Sequence, residues 1–249
     1  ETLEDKGCEL LYYDIDENML PTCDFDNDDY ILYTNYFGVC DDQVDIMKRK
    51  YSKLIVDNSQ SFYSKDDSFA CFNSARKYFG VPDGGYLYIS DSTNYKEIEL
   101  ERNHSWSKCE FMLKRADIGA GKGYEDFKKN EIRIGEEGLL GMSLLTQNML
   151  SSIDYSSVAD VRINNFNILH ENLGLINEFK LRDKPTSIPM VYPFLIKKDI
   201  RSELIAKGIF VATYWIGQKD RSYGDILEKY LLPLPIDQRY SDEEMEYIV

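Results

Sequence analysis

A strand, a helix and a second strand follow one another in the first quarter of the chain, and this order constrains the fold more than any other feature. Residues 29–38 are apolar and aromatic and predict a strand, residues 44–51 predict a helix, and residues 53–57 predict a buried strand. Asp41 and Asp42 can cap the helix, which carries basic residues near its last turn. This order predicts a right-handed crossover between parallel strands, and so an α/β fold with a mostly parallel sheet.

Helical spacing is clearest in the second half of the chain, where apolar residues three and four positions apart predict helices over 142–153 and 158–173. The other predicted elements are strands at 8–16, 69–72, 85–89, 185–196 and 208–215, helices at 108–117 and 199–207, a flexible loop at 119–123, and a last helix with a capping box from Ser241 to Glu244. Helices combined with antiparallel strands predict a smaller α+β domain. The predicted division is a large domain over residues 1–138 and a small domain over 139–249.

Composition excludes several classes of partner. Acidic residues outnumber basic residues by 44 to 29, which gives a formal net charge of −15 and disfavours nucleic acid, because a nucleic-acid-binding protein normally needs a basic face. No apolar run reaches membrane-spanning length. The five cysteines show no Cys-x-x-Cys spacing and predict reduced thiols in a cytoplasmic protein. His104 and His170 are isolated in the sequence and predict surface or packing residues, with no metal site.

Two polar side chains follow buried strands of the predicted sheet. Asp57 ends one strand, and an acid at the carboxyl end of a strand in an α/β sheet lies where ligands usually bind. Lys77 lies between the predicted buried strands 69–72 and 85–89 and precedes a turn at 82–85, whose glycines allow close approach of the chain. Partial desolvation of this lysine would favour the neutral amine, which attacks a carbonyl to form a Schiff base. The alternative is a solvated surface lysine beside an ordinary hairpin.

The combination of Asp57 and Lys77 matches the needs of pyridoxal phosphate, which binds through a lysine and commonly requires an acid at its ring nitrogen. The runs LIVDNSQSFYS and SARKYFGVPDGGYLY resemble the cofactor segment of the DegT/StrS family of sugar-nucleotide aminotransferases. The resemblance implies that Lys77 is the Schiff-base lysine. It also implies that Asp57 and Gln60 bind the cofactor and that Ser74 contacts its phosphate. The register departs from the family at Phe72, which occupies the place of a family serine.

The resemblance extends over nearly the whole chain. Met142 and Ser143 correspond to a Met-Ser helix of the family, residues 203–215 to its helix, Gly-Ile and strand element, and residues 234–245 to its closing Leu-Pro-Ile and final helix. Just before Met-Ser the family carries Asn and Arg, of which the Asn reaches the partner subunit's cofactor phosphate, whereas this chain has Leu-Leu-Gly at 139–141. The family also begins with a further part of the large domain, which supplies a helix N-terminus for the phosphate and an aromatic ring that stacks on the pyridine. This sequence is therefore either a fragment or a variant that lacks those parts, and we expect a fragment.

The resemblance implies a fold-type I pyridoxal phosphate-dependent transferase that forms a homodimer. The implied reaction transfers an amino group, from glutamate as the family's usual donor, to a keto sugar nucleotide for cell-surface polysaccharide or related sugar biosynthesis. Two alternatives remain. Some relatives of this fold dehydrate sugars, and Lys77 excludes only those that carry a histidine in its place. The other alternative is a catalytically silent subunit that serves in binding or assembly.

Overall fold

The computed structural model describes residues 3–91, 99–217 and 222–249 of the chain. Its strands are β1 (Ile31–Thr34), β2 (Leu54–Asn58), β3 (Ala70–Asn73), β4 (Leu87–Ile89), β5 (Val191–Leu195) and β6 (Leu231–Pro235). Its helices are α1 (Asp41–Lys50), α2 (Glu110–Ile118), α3 (Ala120–Glu136), α4 (Leu144–Ser151), α5 (Tyr155–Leu173), α6 (Arg201–Ala206), α7 (Ser222–Tyr230) and α8 (Asp242–Ile248). Short 3-10 helices cover Glu4–Lys6, Tyr36–Gly38, Ala75–Lys77, Trp106–Lys108 and Gly174–Ile176.

Strands β1 to β4 form one sheet in chain order, and its first three strands are parallel. Asp57 of β2 is in register with Thr34 of β1 and with Phe72 of β3. Strand β4 runs antiparallel to β3 and places Leu87 opposite Phe72. The parallel arrangement predicted from the order of strand, helix and strand is therefore confirmed. The carboxyl ends of β1, β2 and β3 share one edge of the sheet.

The two faces of this sheet differ in burial. One face packs against α1 around a cluster that contains Ile31, Tyr33, Val44, Met47, Tyr51, Leu54, Val56 and Cys71. Helix α1 is amphipathic, and its acidic first turn and basic last turn match the direction of its macrodipole. On the other face Leu32 is 45% exposed, while Ile55, Asp57 and Phe72 are half-buried. The Asp57 carboxylate therefore lies on the more open face of the sheet.

The second half of the chain is built on a two-stranded antiparallel sheet of β5 and β6. Helices α5 and α8 pack on it in a core that contains Phe166, Leu169, Leu173, Tyr192, Phe194, Ile209, Val211, Leu232, Leu234, Ile236 and Met245. Ser241 and Glu244 form the predicted capping box at the start of α8. The α+β character predicted for this half is confirmed, and a domain boundary at residue 138 stays a prediction.

Hydrophobic clusters join the two halves of the chain. One cluster includes Met19, Phe37, Cys40, Phe179, Leu195, Leu227 and Leu231, and another includes Ala75, Tyr78, Phe79, Val81, Leu150 and Met190. Ala75 and Tyr78 flank the segment that carries Lys77. The second half of the chain therefore helps to fix the backbone around this lysine.

The strand predicted at residues 8–16 is wrong. The described structure places one isolated bridge there, between Ile15 and Pro21. Tyr13 contacts β1 through its side chain, because its hydroxyl donates a hydrogen bond to the carbonyl oxygen of Leu32 at 2.8 Å. Tyr13 and Ile15 are half-buried, whereas Leu11 and Tyr12 are 79% and 74% exposed, so the segment touches the sheet at single side chains without extending its ladder.

The strand predicted at residues 208–215 is also absent from the described structure. The Arg201 guanidinium donates to the carbonyl oxygens of Val211 and Ala212, groups that a neighbouring strand would otherwise satisfy. Ile209 and Val211 are buried in the core of the second half. The apolar character of Ile209 and Val211 therefore reflects the burial of an irregular segment. The pattern of residue types does not distinguish such a segment from a strand.

The flexible loop predicted at 119–123 is wrong, because helix α3 begins at Ala120. Gly119 separates α2 from α3 with a positive φ of 94°. Gly123 faces the backbone of α2, where an added Cβ would lie 2.8 Å from the carbonyl oxygen of Phe111. The glycines of this run therefore allow two helices to pack closely. In β4, predicted as buried, Leu87 is 59% exposed.

Two further expectations concern isolated residues and membrane spans. His170 packs on Phe166, and its Nδ1 lies 3.2 Å from the Tyr192 hydroxyl, which confirms a packing role. His104 is exposed. Among the described residues, no helix combines the length and the apolar character needed to cross a bilayer, and no group of His, Cys, Asp and Glu is arranged to hold a metal ion.

Candidate active site

Asp57 is oriented by the loop that follows β2. Its Oδ1 accepts hydrogen bonds from the backbone N–H of Ser59, at 2.8 Å, and from the Ser59 hydroxyl. Its Oδ2 accepts no hydrogen bond within the described part of the chain. One carboxylate oxygen is therefore fixed by its own loop, while the other is available at the carboxyl edge of the sheet.

Lys77 lies at the same edge, at the end of the 3-10 helix that follows β3. Its side chain reaches solvent, and its amine makes no hydrogen bond or ion pair within the described ranges. Protein atoms nevertheless surround it closely enough that burial lowers the pKa of the Lys77 amine, and Arg76 lowers this pKa further. The charges of Asp57 and Glu131 oppose this shift. The structure thus brings Asp57 and Lys77 within electrostatic reach of each other.

Gln60 is buried and holds the loop after β1. Its Oε1 accepts a hydrogen bond from the backbone N–H of Phe37 at 2.8 Å. Phe37 has a positive φ of 59°, and the hydrogen bond helps to hold this uncommon conformation. Gly38 follows at φ 73°, and an added Cβ there would lie 2.8 Å from the Gln60 carbonyl oxygen. The amide oxygen of Gln60 is therefore committed to the protein backbone.

Ser74 occupies the N-cap position of the helix that ends at Lys77, three residues before this lysine. Its side chain is half-buried and does not cap the helix. The hydroxyl has no hydrogen-bond partner among the residues that the structure describes. Ser74 therefore offers a free hydroxyl close to Lys77 along the chain.

Tyr78 and Arg162 connect these segments, and the sequence did not indicate their role. The Tyr78 hydroxyl donates to the carbonyl oxygens of Gln60 and Ile188 at 2.8 and 2.9 Å. Arg162 of α5 is 1% exposed, stacks 4.4 Å from the centre of the Tyr78 ring and donates to the Tyr78 carbonyl oxygen. The sequence signal for this role is the position of Arg162, which lies on the apolar stripe of the helix predicted over 158–173. The two residues fix the chain next to Lys77 against the loop that contains Gln60.

Asp83 ties the turn after Lys77 to the start of α4. Its Oδ1 accepts hydrogen bonds from the hydroxyls of Ser143, at 2.9 Å, and Thr146. Its Oδ2 accepts hydrogen bonds from the Ser143 N–H at 3.1 Å and from Asn103 Nδ2 at 2.8 Å. Ser143 is also the N-cap of α4. The predicted Met-Ser helix therefore anchors the lysine-bearing turn.

We expect Asp83→Asn to lower the free energy of unfolding by about 1–3 kcal/mol, because an amide nitrogen cannot accept from the buried donors that face it. Urea unfolding followed by circular dichroism would measure the change. Asp117→Asn, at an exposed carboxylate of α2, is the matched control and should change stability little. Equal stability of Asp83→Asn and wild type would contradict this role.

We expect Gly85→Ala to destabilise the protein, because a Cβ at this position would collide with the backbone carbonyl oxygen of Asn73. Steric overpacking against backbone costs about 1–3 kcal/mol. The control is Gly80→Ala in the same segment, where an added Cβ meets no heavy atom within 4 Å. Thermal unfolding should show a clear drop in Tm for Gly85→Ala alone, and equal Tm values for both variants would argue against the close approach.

The free groups at this edge fit the attachment of pyridoxal phosphate. Within the described residues, Lys77 offers an unpaired amine that can attack the aldehyde, Asp57 an unengaged carboxylate oxygen that can accept from the protonated ring nitrogen, and Ser74 a free hydroxyl that can donate to the phosphate. Residues 139–141, where the family carries Asn and Arg, contribute no side-chain donor here. Gly141 instead pairs with the backbone of Glu101 and Asn103.

No protein-family model matches the chain. Among solved structures, it is similar to a DegT DnrJ EryC1 StrS aminotransferase from Brucella abortus, with a TM-score of 0.51 and 15% identity over 88% of this chain and 62% of that chain. It is similar to the aminotransferase TlmJ from Streptoalloteichus hindustanus, with a TM-score of 0.54 and 14% identity over 96% of this chain and 70% of that chain. A third similar structure is the PMP form of Spr1654 from Streptococcus pneumoniae, described as a candidate sugar aminotransferase, with a TM-score of 0.53 and 13% identity over 88% and 67% of the two chains.

Curated proteins similar in sequence carry a different name. The chain is 22% identical over 153 residues to a carboxy-S-adenosyl-L-methionine synthase from Shewanella woodyi. This match covers 57% of this chain and 62% of the relative. It is 24% identical over 156 residues to the protein of that name from Shewanella halifaxensis, over 58% and 63% of the two chains. The chain therefore spans less than two thirds of these relatives. At such identities the structural similarity establishes the fold alone, and this fold is the predicted mixed α/β fold of the pyridoxal phosphate-dependent aminotransferases.

Proposed function

We propose that this chain is a pyridoxal phosphate-dependent aminotransferase that transfers an amino group from glutamate to a keto sugar nucleotide. The observation that carries the proposal is the placement of Asp57 and Lys77 at one edge of a parallel sheet, each with a polar atom that no described residue engages. Two of the similar solved structures, from Brucella abortus and Streptoalloteichus hindustanus, are named aminotransferases, and the Streptococcus pneumoniae protein is described as a candidate sugar aminotransferase. These names support the reaction class and the substrate class.

Each site residue receives a role in this proposal. Lys77 would hold the cofactor covalently through its amine and, once free, would move a proton at the substrate carbon that bears the amino group. Asp57 would keep a proton on the ring nitrogen, with Ser59 fixing the orientation of its carboxylate. Bound pyridoxal phosphate supplies an electron sink for negative charge at the reacting carbon. Gln60 would act near the ring hydroxyl through its amide nitrogen, because its amide oxygen accepts from the Phe37 N–H. Ser74 would donate to the phosphate.

The lowered pKa of Lys77 supports the first of these roles. A lysine with an unperturbed pKa of 10.5 is almost entirely protonated near neutral pH, and its ammonium form is not nucleophilic. Burial increases the neutral fraction by lowering this pKa. The side chain still reaches solvent, so a reacting carbonyl compound has access to the amine.

Borohydride reduction tests the proposed attachment. The chain should turn yellow with pyridoxal phosphate, and reduction should leave a covalent adduct that peptide mapping places on Lys77. Attachment to any other lysine would refute the assignment of Lys77. The chain can also be purified without cofactor and titrated with pyridoxal phosphate. An unchanged absorbance in this titration would favour a catalytically silent subunit.

The names of the curated relatives do not lead to a second candidate function. The glycine-rich run at 119–123 joins helix α2 to helix α3, so it does not form the glycine-rich loop between a strand and a helix that is typical of nucleotide-binding folds. S-adenosyl-L-methionine is the control ligand in the titration with pyridoxal phosphate. We expect no binding of this control ligand.

We also propose that the chain forms a homodimer with an apolar interface near the site. Leu87, Leu139 and Leu144 are 59%, 78% and 52% exposed, and the proposed interface would bury them. A stable dimer should bury at least about 1,000 Å² in total. Light scattering at micromolar concentration should give twice the mass of the chain, and a monomer alone would count against this assembly.

A further inference from the structure

Arg76 lies immediately before Lys77 and forms an ion pair with Glu131 of helix α3. The pair is partly open to solvent, because the two side chains are 21% and 44% exposed. The contact joins a single guanidinium nitrogen, Nη2, to one carboxylate oxygen, Oε1. Helix α3 thus places a carboxylate next to the segment that carries the candidate catalytic lysine.

The Arg76 guanidinium is not satisfied by this contact. Its Nε is buried and has no acceptor among the described residues. Native proteins leave few buried donors unpaired, so each such donor requires an explanation. Arginine binds carboxylates most strongly through two parallel N–H···O hydrogen bonds, and Glu131 supplies only one of them.

Arg76 and Glu131 are both close enough to Lys77 to act on its charge. The Arg76 charge lowers the pKa of the Lys77 amine, and the Glu131 charge raises it. A carboxylate that replaced Glu131 at Arg76 would therefore lie within electrostatic reach of the same amine. An amino acid whose amino group reacts beside Lys77 brings such a carboxylate with it.

We propose that Arg76 binds a carboxylate group of the amino donor through Nε and Nη2, and that Glu131 occupies the guanidinium when no donor is bound. This inference rests on the proposed aminotransferase function and names a residue that selects its donor. Glu131 must leave Arg76 before the donor binds, so it acts as an internal competitor. The ligand is a carboxylate because the group that now occupies Arg76 is itself a carboxylate on a flexible side chain.

Calorimetric titration with glutarate tests the proposal. Glutarate carries two carboxylates and no amine, so it can bind at Arg76 without reacting, and the titration uses the full chain without cofactor. We expect Glu131→Gln to tighten glutarate binding severalfold, because the competing charge is removed. We expect Arg76→Lys to weaken it about tenfold, because a lysine cannot form the paired hydrogen bonds. Arg133→Lys, on the exposed side chain of another arginine of α3, should leave the affinity unchanged.

A purely structural ion pair predicts different results. If the pair only anchors α3, glutarate should bind Glu131→Gln no more tightly than wild type, and this result overturns the proposal even if Arg76→Lys folds poorly. Tighter, Arg76-dependent binding of inorganic phosphate than of glutarate would overturn the carboxylate assignment. Because no cofactor enters the titration, a negative result here leaves the borohydride test of Lys77 unaffected.

Discussion

Lys77→Ala should abolish the borohydride-fixed adduct and reduce transamination by about 10⁴-fold or more, because it removes both the attachment point and the group that moves the proton. The fold should survive, since the Lys77 side chain is exposed and makes no polar contact within the described ranges. Absorbance of the cofactor and peptide mapping would measure the loss of the adduct, single-turnover rates the loss of transamination, and circular dichroism the survival of the fold. Lys184→Ala, at an exposed lysine far along the chain, is the control and should retain the adduct.

Lys77→Arg separates charge from chemistry at the same position. A guanidinium preserves the positive charge next to Asp57, but it stays protonated and cannot form the covalent bond to the cofactor. The variant should therefore fail as completely as Lys77→Ala. Retention of turnover in Lys77→Arg would mean that this residue contributes only charge, and the proposed mechanism would be wrong.

The edge of the sheet that carries the candidate site was predictable because local patterns determine it. Strand β2 is a short apolar run, Leu54 to Val56, and it ends in the polar residues Asp57 and Asn58. Parallel strands align their carboxyl ends, so Asp57 and the segment after β3 had to meet at one edge.

The residues that hold this edge in place were not predictable, because their partners lie far away in the sequence. Asp83 binds Ser143 and Thr146, 60 and 63 positions later. Arg162 donates to the Tyr78 carbonyl oxygen across 84 positions. A single sequence contains no local signal for such pairs, and a buried arginine in a helix is the nearest indication.

Strand β6 was missed for a different reason. Its sequence, LLPLP, contains two prolines, which normally argue against a strand because they lack the N–H that a ladder needs. In the structure Pro233 lies opposite Pro193 of β5. A two-stranded sheet has an outward edge on each strand, so residues that lack an N–H can be placed there without breaking the ladder. Tertiary context therefore outweighs the low propensity of proline for β-strands.

Asp57→Asn should slow the half-reaction by orders of magnitude and leave the binding of the cofactor and donor largely intact. Without a carboxylate the ring nitrogen loses its proton, and negative charge at the reacting carbon is then poorly stabilised. The effect should appear in kcat and in the single-turnover rate, with a smaller change in KM. Asp67→Asn, at a side chain that is 88% exposed, is the control. Full activity of Asp57→Asn would refute the role of this carboxylate even if Lys77 carries the cofactor.

The same substitution has a second consequence that needs no cofactor. The negative charge of Asp57 raises the pKa of the Lys77 amine, against the larger lowering by burial. Neutralising Asp57 removes the opposing contribution, so the pKa of Lys77 should fall further below 10.5, and the neutral amine should appear at lower pH. Acetic anhydride labelling of Lys77 as a function of pH, read by mass spectrometry, should therefore shift toward lower pH in Asp57→Asn. Arg76→Met should shift the profile in the opposite direction, because Arg76 lowers the pKa of Lys77. An unchanged profile in Asp57→Asn would mean that the two groups are too far apart to act on one substrate together.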